Sequence, residues 1–139
     1  MNESYNTIKN VVFTGHSGSG KTSLVETMLF ESGMIPKRGS VVDKNTVSDY
    51  TNIEKEKEHS IFSSSQHLIW KDSKINLIDT PGLDDFVGEL LSAIKVADTA
   101  LVTVAADQGV EVGTDLAWEY LDRQKIPSFF VITKMDHPK

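Results

Sequence analysis

The chain has 139 residues, no cysteine, and 14 basic against 20 acidic side chains, a net charge of −6. That length suits one domain able to bury a single core between a sheet and its helices. The acidic balance, without a long basic run, argues against a domain that grips nucleic acid by its whole surface, while docking on a ribonucleoprotein through protein stays open. Missing thiols exclude disulfides and thiolate metal sites, and a cytoplasmic setting suits this. No apolar run approaches about 18 residues and no signal-peptide pattern opens the chain, so neither a membrane span nor an export signal is expected.

Met1 to Thr7 is polar and expected to fray. Ile8 to Thr14 is β-branched and apolar, the composition of a buried parallel strand. Gly15-His16-Ser17-Gly18-Ser19-Gly20-Lys21-Thr22 follows and fits G-x-x-x-x-G-K-[ST], the phosphate-binding P-loop. Its glycines let successive N–H groups turn inward toward phosphate oxygens. Thr22 to Glu31 then repeats apolar residues at helical spacing, with Gly33 and Pro36 as stop signals. Strand, glycine loop and helix stand in the order the motif requires.

Pro36 to Lys57 lacks sustained periodicity, and its charge run Glu54-Lys55-Glu56-Lys57-Glu58 reads locally as a solvated helix face. Directly after a P-loop helix, the stretch from Pro36 to Ser60 is expected to be a nucleotide-sensing switch, ordered by Mg²⁺ and the γ-phosphate. Ile61, Leu68, Ile69 and Trp70 indicate a strand weakly interrupted by Ser63 to Ser65. A tight turn at Lys71 to Ser73 leads into Lys74 to Ile78, so these two strands should pair antiparallel. Asp79-Thr80-Pro81-Gly82 ends the second of them, and an amphipathic helix runs from Phe86 to about Val96. Ala100 to Ala105 is a central strand, Thr114 to Lys125 a helix, and Phe129 to Ile132 the last strand, with Thr133-Lys134-Met135-Asp136 at its end.

This alternation specifies an α/β fold of P-loop NTPase type, a three-layer sandwich whose mostly parallel sheet has one antiparallel hairpin strand. The P-loop, Asp79 to Gly82 and Thr133 to Asp136 all fall on the carboxyl edge of that sheet. Gly15, His16, Ser17, Gly18, Ser19, Gly20, Lys21, Thr22 and Ser23 are the expected phosphate-binding residues. Lys21 can neutralise the β- and γ-phosphates, and Thr22 and Asp79 can hold Mg²⁺. Gly82 can offer its N–H to the γ-phosphate where a side chain would obstruct approach. The Asp136 carboxylate can accept hydrogen bonds from N1–H and the 2-amino group of guanine, which adenine lacks, and Lys134 can lay its stem over the base. An ATPase or small-molecule kinase is disfavoured on that ground. The histidines His16, His59, His67 and His137 have no zinc-ligand spacing, and Trp70 and Trp118 read as core or packing residues.

GHSGSGKT, DTPG and TKMD in this order resemble the G1, G3 and G4 elements of translational GTPases. The likeness is strongest to elongation factor G, in its divergent second-paralogue branch, through DDFVGEL at Asp84 to Leu90, GVEVGTDLAW at Gly109 to Trp118 and Thr133-Lys134 in place of Asn-Lys. Tetracycline-resistance ribosomal protection proteins share the layout but fit these details less well. The resemblance runs from Ile8 to Asp136 and implies a GTP/GDP- and Mg²⁺-binding factor that hydrolyses GTP on the ribosome in translocation or recycling. It implies an N-terminal portion of a G domain, ending before the last strand, with later domains absent from the chain. The ribosome would be met through the full-length protein, with no membrane and no sequence-specific nucleic-acid contact by this portion.

Four departures accompany the resemblance. Ser60 stands where a switch threonine usually meets Mg²⁺, Gly18 where the main branch has an aspartate, and Thr133 where an asparagine usually braces the P-loop. Leu83 replaces the histidine that positions the attacking water. Lys21, Gly82 and Leu83 are thus the positions expected to bear on catalysis, and a GTP-binding switch with little hydrolysis is the alternative reading.

Overall fold

The computed structural model describes residues 7–57, 59–82 and 87–136. Its elements are β1 (Thr7–Thr14), α1 (Lys21–Glu31), α2 (Asn52–Lys57), β2 (Ser64–Trp70) and β3 (Ser73–Asp79). They are followed by α3 (Val87–Ile94), β4 (Thr99–Ala105), α4 (Val112–Gln124) and β5 (Ser128–Thr133). The five strands lie in the order β2-β3-β1-β4-β5. β1 runs parallel to β3 and β4, β4 parallel to β5, and only β2 pairs antiparallel, with β3. The mostly parallel sheet with one antiparallel hairpin strand is therefore as the sequence specifies.

Side chains alternate across a strand, so each central strand supplies both faces. Val12 packs on one side with Leu90, Ile94, Ala117 and Leu121 of α3 and α4. Its neighbour Phe13 packs on the other with Val25 and Leu29 of α1. Two cores sandwich the sheet, which makes three layers. The parallel strands leave it at one edge, where Thr14, Asp79 and Thr133 end β1, β3 and β5.

Several readings need correction. Of the serines expected to interrupt β2, Ser64 and Ser65 belong to it, pairing with Asp79 and Ile78 in an unbroken ladder, while Ser63 and the Ile61 expected in the strand precede it. Trp70 is not core: it ends the edge strand β2 and is 55% exposed. Trp118 is 44% exposed but does pack, its ring 5.2 Å from that of Phe130. The charge run does form a helix, α2, yet Glu54 is wholly buried and not solvated. A capping box explains both facts, as Thr51 Oγ1 accepts the Glu54 N–H while Glu54 Oε2 accepts the Thr51 N–H. Among the described residues no helix is long and apolar enough to cross a membrane.

Candidate nucleotide-binding site

The P-loop leaves β1 and turns into α1 at Gly20, whose helix has no side-chain cap. The first-turn N–H groups of α1 therefore stay open toward the cleft above them, the arrangement that binds anions. Two hydroxyls brace the loop from beneath. Ser19 Oγ lies 2.6 Å from Thr103 Oγ1 on β4, and Thr133 Oγ1 donates to the Ser19 carbonyl at 2.6 Å. Thr133 thus braces the loop itself, where the family pattern has an asparagine.

Lys21 is buried and folds back over the loop, its Nζ donating to the carbonyls of Gly15 (3.0 Å) and His16 (2.7 Å). Burial lowers its ammonium to about 8, against the pull of the Asp79 and Asp49 charges. The same burial raises the Asp79 carboxyl to about 6, although the Thr22 hydrogen bond and the Lys21 charge favour its anion.

Thr22 Oγ1 donates to Asp79 Oδ2 at 2.7 Å and stands 3.4 Å from Ser60 Oγ. Ser60 Oγ in turn donates to Asp49 Oδ1 at 2.7 Å. Thr22, Ser60 and Asp79, far apart in sequence, thus converge as hard oxygen donors. Asp79 Oδ1 is buried without a hydrogen-bond partner, the Ser48 hydroxyl being close enough to favour the anion but outside hydrogen-bond geometry. A buried, unsatisfied carboxylate oxygen beside two hydroxyls fits Mg²⁺, which takes few protein oxygens.

Ser17, Gly18, Gly20, Lys21, Thr22, Ser23, Asp49, His59, Ser60, Gly82 and Lys134 line one cleft of about 290 Å³. Gly82 presses on the P-loop so closely that an added Cβ would lie 2.4 Å from Lys21 Nζ and 2.6 Å from the Ser17 nitrogen. His16 does not line the cleft. Its Nε2 reaches Glu111 Oε2 at 2.7 Å and its Nδ1 faces the Gly113 N–H at 3.4 Å, so the ring ties the loop to the start of α4. Asp136 is exposed beyond Lys134 and does not line the cleft. Leu83, Asp84, Asp85, Phe86, Glu58 and His137 lie outside the described residues.

Three buried acidic residues have a part that the sequence pattern does not assign them. Asp49 is buried beside Ser60. Glu26, wholly buried on α1, accepts the N–H of Gly39 (2.9 Å) and of Val47 (2.5 Å), pinning the stretch that follows the helix. Glu54 was visible through Thr51-x-x-Glu54, a capping-box signature; Asp49 and Glu26 carry no local signal.

Sheet, P-loop, buried lysine and hydroxyl–carboxylate cluster define a P-loop nucleotide-binding domain. Over residues 6–139 the chain matches the family described as the elongation factor Tu GTP binding domain. It belongs to that family. It is 39% identical over 132 residues to an elongation factor G-like protein of Mycobacterium tuberculosis, covering 95% of this chain and 18% of that protein. It is 38% identical over 138 residues to the mitochondrial ribosome-releasing factor 2 of Danio rerio, covering 99% of this chain and 18% of that one. The chain thus spans less than a fifth of the length of these relatives. A crystal structure from Thermus thermophilus superposes with a TM-score of 0.90 at 40% identity, over 93% of this chain and 20% of the other. The translation elongation factor SelB of Methanococcus maripaludis, solved with a GTP analogue, shares the fold at a TM-score of 0.65 and 24% identity, over 94% of this chain and 23% of the other.

Proposed function

We propose that this chain binds GTP and GDP with Mg²⁺ and that the protein hydrolyses GTP on the ribosome, in translocation or recycling. The chain then forms the N-terminal portion of a G domain whose later domains lie elsewhere in the protein. One observation carries the reading: P-loop residues, Thr22, Ser60 and Lys134 line a single cleft, with the buried Asp79 carboxylate bonded to Thr22 behind it. Lys21 and the loop amides bind and orient the phosphates, while Thr22, Ser60 and Asp79 hold the cation. When bound, Mg²⁺ neutralises charge developing on the β- and γ-oxygens. The acidic chain favours docking through protein, and the names of its relatives favour the ribosome as the place.

Nucleotide competition tests the base-reading role. GTP and GDP should displace a fluorescent guanine nucleotide while ATP at equal concentration does not. Asp136→Asn should weaken GTP by at least about tenfold and favour xanthine nucleotides, because an unpaired polar edge is costly. Equal affinity for ATP and GTP would sink the assignment.

Leu83 favours a second reading, a GTP-loaded ribosome switch that turns over slowly. Leucine offers neither donor nor acceptor to an attacking water. Single-turnover hydrolysis on ribosomes should then rise in Leu83→His, by up to the about 10²–10⁴-fold that a positioned polar group supplies. A fast native rate with no gain from histidine would show that another group holds the water.

A further inference from the structure

Residues 60–63 adjoin the cleft, and each of these four donates to an acidic side chain. The Ser60 hydroxyl goes to Asp49 (2.7 Å), the Ile61 and Phe62 N–H groups to Glu54 Oε1 (3.0 and 3.1 Å), and the Ser63 N–H to Glu89 Oε2 (2.7 Å). Glu54 is the centre of this row. Its other oxygen takes the N–H of Thr51 at 3.1 Å and the hydroxyl of Thr51 at 2.7 Å. One buried carboxylate therefore closes the loop from Thr51 to Phe62, with Ser60 at its cleft side.

We infer that Glu54 is a positioning residue of the nucleotide site: by holding Ile61 and Phe62 it sets the Ser60 hydroxyl beside Thr22 and Asp79. The inference rests on the function proposed above. Helix capping alone does not account for Glu54. A capping box uses one side-chain acceptor and accepts glutamine as readily as glutamate. Here the second oxygen is spent on two successive N–H groups directly after Ser60. Burial alone would raise this carboxyl, yet the bonds from the Thr51 hydroxyl and the three N–H groups outweigh it and lower it, so the anion is the form that is held. A glutamine of equal size has one oxygen, and its NH₂ would face donors, so it must release either Thr51 or residues 61 and 62.

The full-length protein carrying Glu54→Gln separates these roles. Amide hydrogen exchange at residues 61–62 should accelerate. Affinity for a non-hydrolysable GTP analogue with Mg²⁺ should fall about tenfold, while GDP affinity stays within about twofold, because only the triphosphate state is expected to need Ser60. Thr51→Ala, which weakens the cap but leaves both Glu54 oxygens, should keep the wild-type preference for the analogue over GDP. Unchanged exchange at 61–62, or equal loss for both nucleotides, would overturn the inference alone. A wild-type protein that binds neither nucleotide would overturn the proposed function and the inference with it.

Discussion

Gly82→Ala is expected to slow single-turnover GTP hydrolysis by about 10²–10³-fold while leaving GDP binding and the fold nearly intact. That is the range for removing one backbone donor aimed at developing negative charge. The added methyl would lie 2.4 Å from Lys21 Nζ, 2.6 Å from the Ser17 nitrogen and 2.7 Å from the His16 carbonyl carbon. A lysine tip can swing aside, but the two backbone atoms belong to a loop braced by Ser19 and Thr133. The segment at Gly82 must therefore retreat, taking its N–H away from the place proposed for the γ-phosphate. Stopped-flow hydrolysis on ribosomes, with circular dichroism to check the fold, measures both halves. A wild-type rate would show that the close approach is dispensable.

Gly15→Ala should fail differently, by unfolding. Gly15 has φ +133°, where a side chain is strained, and its added Cβ would stand 2.4 Å from the Thr103 carbonyl oxygen. Nothing there can swing aside, since Thr103 is wholly buried in β4 and pairs with Val131 of β5. Backbone strain and overpacking each cost about 1–3 kcal/mol, so a loss of roughly 4 kcal/mol is expected. Against a total stability of about 5–15 kcal/mol, that shifts the urea midpoint sharply downward. An unchanged midpoint would show that the loop can move off β4.

The two glycines also mark what sequence could and could not supply. The P-loop was legible because apolar run, glycine loop and helical period stand side by side, and local chemistry suffices to read them. The three-layer order followed from alternating strands and helices. The place of Ser60 with Thr22 and Asp79 was legible only through the family resemblance, and its bond to Asp49 was not legible at all, because that pair meets only through the tertiary fold. Glu26 sits in α1 like any helix-favouring acid, and only the returning chain at Gly39 and Val47 gives it purpose. Trp70 misled because size argued for burial, whereas its place at the end of an edge strand decided its exposure. The serines of β2 misled likewise, since ladder pairing overrides weak strand propensity.

β1 is made first and sits in the middle of the sheet. Its partners are distant: Thr7 meets Ser73, 66 residues later, and Asn10 meets Asp98, 88 residues later. At about 5–20 residues per second, synthesis leaves this strand without its first neighbour for roughly 3–13 s. Throughout that interval Phe13 has only α1 to shelter it, and Val12, on the opposite face, lacks α3 and α4, although both are 0% exposed in the finished fold. Among the described strands, the nucleotide loop is thus attached to the one whose first partner arrives latest during synthesis.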